Sequence, residues 1–272
     1  MRVSLIVSTY KDTEALSLIF EALKRQSYKD FEVVVAEDDN SKETKELIKK
    51  ESELNILHVS HEDIKNRKTV IQNRAIKDSS GEYLIFIDGD VIPYRDFIKN
   101  QLFLARKKRV LSGRRVNLPQ NISKLLRSKK LKAATLERFY LFFALYLMFD
   151  RSVRFEQGIS LNPQGFIYQR FLKNRKRNSA IIGCNFSCFK EDFIAINGFD
   201  DSYTESRLGD DTDLTWRFKA AGYELISSKN LANIFHLYHE KISLKKDFSK
   251  EIALMQERKE KNLYYCENGL NK

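Results

Sequence analysis

The sequence predicts an α/β fold: a Rossmann-like, mixed but mostly parallel sheet flanked by helices, then a basic helical insertion and a C-terminal α+β part. Three observations predict it. Short apolar runs at 3–7, 31–36, 56–59 and 83–87 alternate with segments of helical period, and strands separated by helices pair in parallel. Three of these runs end in polar or acidic clusters, at the carboxyl ends where such sheets bind ligands. The composition, 42% apolar and 31% charged over 272 residues with ten glycines and three prolines, supports a sizeable core and excludes collagen-like, low-complexity and disordered chains.

Taken in order, 3–7 reads as a buried strand ending at Ser8-Thr9-Tyr10. Asp12 or Thr13 caps a helix with apolar positions Leu16, Ile19, Phe20 and Leu23. A Val-rich strand at 31–36 ends in Glu37-Asp38-Asp39-Asn40-Ser41, where Asp39 or Ser41 starts a polar helix reaching Lys50. A short strand at 56–59, a helix at 69–78 and a fourth strand at 83–87 follow, the last ending in Asp88-Gly89-Asp90.

The middle changes character. No acidic residue occurs from 97 to 136, while Arg106, Lys107, Lys108, Arg109, Arg114, Arg115, Lys124, Arg127, Lys129, Lys130 and Lys132 accumulate. The unbroken apolar run 139–149 comes next, and Arg170, Lys173, Arg175, Lys176 and Arg177 close the segment. Rich in Leu, Phe and Arg and poor in Gly and Ser, it reads as a helical insertion rather than a linker. The last part returns to strand and helix signals: strands at 181–183, 185–189 and 231–236, helices at 190–197 and 210–221 stopped by Gly198 and Gly222, and a charged helix at 245–263. The divisions are 1–111, 112–178 and 179–272, all parts of one domain.

The acids carry the chemistry. Asp88 and Asp90, one residue apart past a buried strand, suit a hard divalent cation, and Gly89 between them permits close ligand approach. Carboxylates after the second strand suit a base N–H or a ribose hydroxyl.

These residues carry a resemblance. Residues 5–10, 33–41, 72–75 (Gln-Asn-Arg-Ala) and 81–90 resemble family 2 glycosyltransferases of the GT-A fold in order and spacing. The resemblance implies a donor-nucleotide site at Thr9, Tyr10, Asp38, Asp39 and Asn73, with Arg67 or Lys68 toward phosphate or uracil. It implies a metal, Mn2+ or Mg2+, on Asp88 and Asp90 with the donor diphosphate beside Gly89. Residues 183–187, 196–200, 209–214 and 236–239 resemble the C-terminal half of galactosyltransferases and chondroitin-polymerase-like enzymes. There the usual Gly-Glu-Asp-x-Asp-Leu reads Gly209-Asp210-Asp211-Thr212-Asp213-Leu214, and Ser206-Arg207-Leu208 replaces the preceding aromatic pair. By this match Asp211 is the general base and Asp210 an acceptor-hydroxyl ligand, while Asp213 points inward. His236 and His239 are candidates to complete the cation's shell beside Asp90.

The function expected is a metal-dependent inverting glycosyltransferase. It moves a sugar from a nucleotide-diphosphate donor, UDP-linked, to a hydroxyl of a glycan or lipid-linked acceptor in bacterial surface polysaccharide or lipopolysaccharide assembly. A nucleotidyltransferase would want a glycine-rich phosphate loop, and residues 8–15 contain no glycine. The net charge of +11 suits phosphorylated ligands, anionic membranes or polyanions; acidic strand ends argue against nucleic acid. The apolar run falls short of the ~20 residues a spanning helix needs. It suggests an anionic membrane surface as partner for 124–149. With no signal peptide and three cysteines that read as buried free thiols, the expected setting is cytoplasmic, peripheral on the inner face of the cell membrane.

Overall fold

The computed structural model describes residues 1–63, 67–150, 153–203, 208–240 and 248–271. Strand β1 (Val3–Thr9) is buried along its whole length and lies between β2 (Phe31–Glu37) and β4 (Tyr83–Asp88), parallel to both, with β3 (Ile56–Ser60) at the edge. A strand buried on both faces is mostly apolar; here Val3, Leu5, Ile6 and Val7 supply that character, and the buried Ser4 hydroxyl donates to Glu32. Helix α1 (Thr13–Lys24) begins at Asp12, whose carboxylate accepts from the Ala15 N–H. Ser41, rather than Asp39, caps α2 (Lys42–Lys50), accepting from the Thr44 N–H. Helix α3 spans Lys68–Asp78.

The sheet is mixed. After β5 (Val91–Pro93), α4 (Phe97–Leu104), β6 (Arg109–Ser112) and β7 (Arg114–Asn117), strand β8 (Asn185–Phe189) inserts antiparallel between β4 and β6. Strand β9 (Glu224–Ser227) pairs parallel with β6 and completes the order β3-β2-β1-β4-β8-β6-β9. A second sheet, β5-β10-β7, is built around β10 (Asn233–His236).

The basic middle therefore differs from the helical insertion expected. Its first residues, 114–117, are strand β7, held by parallel pairing with β10. Helices α5 (Gln120–Arg127), α6 (Ala133–Arg138) and α7 (Tyr140–Leu147) follow, then a 3-10 turn, Phe155–Gln157, and a π-helical turn, Tyr168–Leu172. Leu126, Leu136, Tyr140 and Leu147 pack with Ala15, Leu18 and Ala22 of α1, so these helices share a core with α1.

The C-terminal part supplies α8 (Lys190–Ile194), α9 (Thr212–Ala220) and α10 (Ser249–Glu260). Residues 181–183 are not strand, and 206–207 and 245–247 lie outside the described residues. Asp213 does point inward: Arg217, almost fully buried, bonds it and also the Gly198 and Tyr264 carbonyls. The three cysteines are buried and free. Phe186 stacks on Phe86 at 4.5 Å and contacts Phe193 and Phe199 in the center of this core. Emptying that position costs about 3–5 kcal/mol. Phe186→Ala should lower the free energy of unfolding by that amount, read in urea as a lower midpoint with the slope of the transition unchanged.

Candidate active site

The site forms where the carboxyl ends of β1, β2 and β4 meet the C-terminal part. Asp88 closes β4 beside Ser8, and the chain then turns sharply through Gly89. A Cβ on Gly89 would sit 2.9 Å from the Ser8 carbonyl oxygen and the Thr9 Cα. Only glycine lets the β4 turn lie against the end of β1, and that approach brings Asp88 and Asp90 to the cleft.

The two acids have different partners. Asp88 accepts from the Lys68 ammonium at 2.6 Å, and the same ammonium donates to Asp210 at 2.7 Å. Lys68 thus joins the end of β4 to the segment carrying Asp210 and Asp211, across 142 residues of sequence. Burial disfavours its charge, but Asp210 and Asp88 outweigh burial and hold the ammonium protonated. Burial raises Asp88 above the usual carboxylate range; Lys68 pulls the other way, and Asp90 and Asp210 add to the rise. A Cβ on Gly183 would meet Asp210 Oδ2 at 2.7 Å, so the bare α-carbon there makes room for the acid.

Asp90 faces the histidines. Its Oδ2 lies 3.3 Å from His236 Nε2 and 3.5 Å from His239 Nε2, and one potential ligand atom from each of the three residues falls within 4.8 Å of the others. Its Oδ1 is buried with no hydrogen-bond partner among the described residues. An orphaned carboxylate oxygen is costly unless something positive meets it. Burial pushes the Asp90 carboxyl up, but the His236 hydrogen bond and the charges of His236, His239 and Lys68 hold it below the usual range. One carboxylate, two imidazoles and an unsatisfied oxygen at the cleft fit a divalent cation. His236 comes from the end of β10, paired to Val91. The Leu237 N–H donates to the Asp90 carbonyl, which fixes the histidine segment against the acidic turn.

Asp211 stands at the N-cap of α9. Its side chain accepts from the Thr212 N–H and, at 2.9 Å, from the Thr212 hydroxyl. Burial raises its carboxyl above the ordinary range, and the like charge of Asp210 adds to the rise against the Thr212 bonds. A half-buried carboxylate with elevated pKa has the properties of a general base.

At the end of β2 the bonds converge on Asp38. Its Oδ1 lies 2.6 Å from His61 Nε2, and its Oδ2 accepts from the Arg67 N–H at 3.1 Å. The Asp38 N–H donates to the Thr9 carbonyl, tying β2 to β1. Thr9 is buried and Tyr10 is exposed at the rim, its hydroxyl donating to Asp63. Asp39 accepts from the Asn40 N–H, an ordinary local turn. Asn73 lies elsewhere: its amide donates to the Phe199 carbonyl and Asp201 while its carbonyl accepts from the Phe199 N–H. These three bonds tie α3 to the C-terminal part through Asn73.

Arg115 escaped sequence reasoning. Its guanidinium donates to Cys184 Sγ at 3.3 Å, and its charge is felt by Asp88 and Asp90. Burial pushes the Cys184 thiol up to about 12, so that sulfur is a neutral acceptor and not a nucleophile. The signal lies in pairing: Arg115 and Asn117 sit opposite Ile234 and His236 in the β7–β10 ladder, which puts a cation on the same sheet face as a candidate metal ligand.

The glycosyl transferase family 2 profile matches residues 4–171, more than half of the sequence. The chain belongs to glycosyl transferase family 2. A second profile, the N-terminal domain of galactosyltransferase, matches residues 166–240. Among curated relatives, the Escherichia coli UDP-Glc:alpha-D-GlcNAc-diphosphoundecaprenol beta-1,3-glucosyltransferase WfgD is 25% identical over 199 residues, 69% of this chain and 76% of that enzyme. E. coli WfaP, described by the same activity, is 25% identical over 108 residues, 40% of this chain and 43% of that enzyme; the chain thus matches under half the length of that relative. The fold is GT-A by likeness to solved glycosyltransferases. S. aureus TarS 1-349 in complex with UDP has TM-score 0.59 at 16% identity, over 86% of this chain and 60% of TarS 1-349. The Pyrobaculum calidifontis mannosyltransferase PcManGT, in complex with GDP-Man and Mn2+, has TM-score 0.56 at 18% identity, over 89% and 58%.

Proposed function

We propose that this family 2 glycosyltransferase is a metal-dependent inverting enzyme that moves a sugar from a UDP-sugar to a hydroxyl of a lipid-linked glycan acceptor. The setting is surface polysaccharide assembly at the inner face of the bacterial membrane. One observation carries the reading: the Lys68 ammonium bridges Asp88 and Asp210, which puts the strand-end acids and the Asp211 segment in one cleft.

Asp38, Thr9 and Tyr10 hold the nucleoside, with Asp39 at the rim. Asp90, His236 and His239 are the metal ligands, with Asp88 behind them. A divalent cation there, Mn2+ or Mg2+, would neutralise charge developing on the leaving diphosphate. Lys68 and Arg115 add fixed positive charge at the same place. Asp211 accepts the proton of the acceptor hydroxyl as its oxygen attacks the anomeric carbon from the face opposite the diphosphate; Asp210 orients the hydroxyl. A single displacement of this kind inverts the anomeric center. The relatives WfgD and WfaP, described as acting on a diphosphoundecaprenol-linked sugar, support the acceptor class.

The donor is tested by titrating UDP-, GDP- and CMP-sugars with and without Mn2+ and following slow hydrolysis of the bound donor. UDP-sugars should bind in a Mn2+-dependent way and hydrolyse. Equal binding without metal, or preference for another nucleotide, contradicts the reading.

The membrane surface rests on α7. Tyr140, Ala144 and Leu147 face the core, while Leu141, Phe142, Leu145 and Tyr146 are exposed. No helix among the described residues is long and apolar enough to cross a membrane. An exposed apolar face preceded in sequence by Lys129, Lys130, Lys132 and Arg138 suits the interface of an anionic bilayer. Binding to phosphatidylglycerol vesicles should fall at least about tenfold in Leu141→Asp/Leu145→Asp; cosedimentation equal to the parent protein would refute the docking role.

A further inference from the structure

Helix α5 links the apolar helix to the catalytic cleft. The Tyr238 N–H, beside His239, donates to Ser123 of α5 at 2.8 Å. Arg127 grips Asp12, at the start of α1, with two bonds of 2.8 and 2.7 Å. On the other side the Asn121 amide donates to the Tyr146 hydroxyl of α7 at 2.8 Å. Ile122, Ser123 and Leu126 face inward, leaving Asn121, Lys124, Leu125 and Ser128 as an exposed stripe of helical spacing. That stripe opens an outward-facing groove of about 690 Å³, lined also by Glu14, Arg127 and Lys130.

The charges in this groove are unequal in kind. Arg127 is committed to Asp12, with Glu14 3.6 Å away. Lys124 and Lys130 have no ion-pair partner among the described residues and are exposed. Two uncommitted ammonium groups beside a guanidinium suit a ligand with more than one negative charge, and Leu125 with the neighbouring apolar face of α7 suits a hydrocarbon tail. Helix α5, which carries this stripe, bonds to α7 through Asn121 and to the segment beside His239 through Ser123.

We infer that the groove between α5 and the start of α1 binds the diphosphate group of the lipid-linked acceptor, with Lys124 and Lys130 as its phosphate contacts. The inference deepens the proposed function and rests on its acceptor class. The lipid tail lies along the exposed face of α7, the diphosphate sits in the groove, and the sugar it carries extends past Tyr238 toward Asp211. The groove would then select acceptors by their diphosphate and set how far the sugar reaches.

The test is calorimetric titration in EDTA, which removes cation-bridged diphosphate binding at the cleft. The probe is decyl diphosphate below its micelle concentration; decyl sulfate and inorganic pyrophosphate are the comparison ligands. Decyl diphosphate should bind the parent protein at least about tenfold more tightly than either. Lys124→Ala/Lys130→Ala should weaken it about tenfold without moving the melting temperature, and Lys124→Arg/Lys130→Arg should restore most of the affinity. No binding by the parent protein, or equal binding by the alanine variant, overturns the site. Decyl sulfate binding as tightly as the diphosphate makes the groove a general anionic-surface contact and overturns the diphosphate assignment; pyrophosphate binding as tightly overturns the role of the lipid. Titration of both proteins with UDP and Mn2+ reads the donor site separately. Its failure would strike the proposed function while leaving the groove result readable.

Discussion

Asp211→Asn should reduce sugar transfer by about 10²- to 10⁴-fold, the range for loss of a general base, and leave UDP affinity within about threefold. Asparagine is as good an N-cap as aspartate, so α9 keeps its start and the variant isolates the proton-accepting oxygen from the fold. The pH profile gives an independent readout. Burial first, and then the like charge of Asp210, raise the Asp211 carboxyl above its ordinary range. A base works deprotonated, so kcat/KM should fall as pH drops through that raised value, on a limb lying above the ~3.9 of a free aspartate. Asp210→Asn removes the repelling charge and should move the limb downward. Full transfer by Asp211→Asn removes this residue from the base role.

Asp90→Asn should have the second large effect. The substitution removes the only formal negative charge among the three grouped ligands and keeps the shape of the side chain. Manganese affinity, followed by the disappearance of the free-ion paramagnetic signal, should fall by more than the ~10–100-fold typical of perturbing a neighbour of a ligand. Mn2+-dependent UDP binding should fall with it. His236→Ala and His239→Ala should each cost less, because either leaves the carboxylate and one imidazole in place. Unchanged manganese affinity in Asp90→Asn would mean that the cation, if bound, sits elsewhere.

What the sequence disclosed follows from the range of each interaction. The first four strands and the helices between them are written in local periodicity, and the acidic clusters at 37–41 and 88–90 are visible as departures from it. Strands β6 and β7 were hidden by composition: a run of arginines and lysines around four-residue strands reads as basic surface, and only their partners β8, β9 and β10, more than 70 residues further on, define them. The same non-locality concealed the Lys68 bridge to Asp210, whose members are far apart in the chain, and the placement of Arg115 beside Cys184. Asn73 shows the same dependence on distant partners. Its neighbourhood resembles a donor-site segment, and its amide bonds to residues 199 and 201, a demand that appears only when the C-terminal part folds onto α3. The split of the 139–149 run into a core-facing and an exposed face likewise required the position of α1.

The most direct measurement is the anomalous scattering of manganese in crystals of the full chain soaked with UDP and Mn2+. The account predicts a strong peak within ligand distance of Asp90 and at least one of His236 and His239, with the UDP diphosphate against it and Asp211 facing the same open volume. A peak bound by other residues, or UDP seated with its diphosphate away from Asp90, would contradict it.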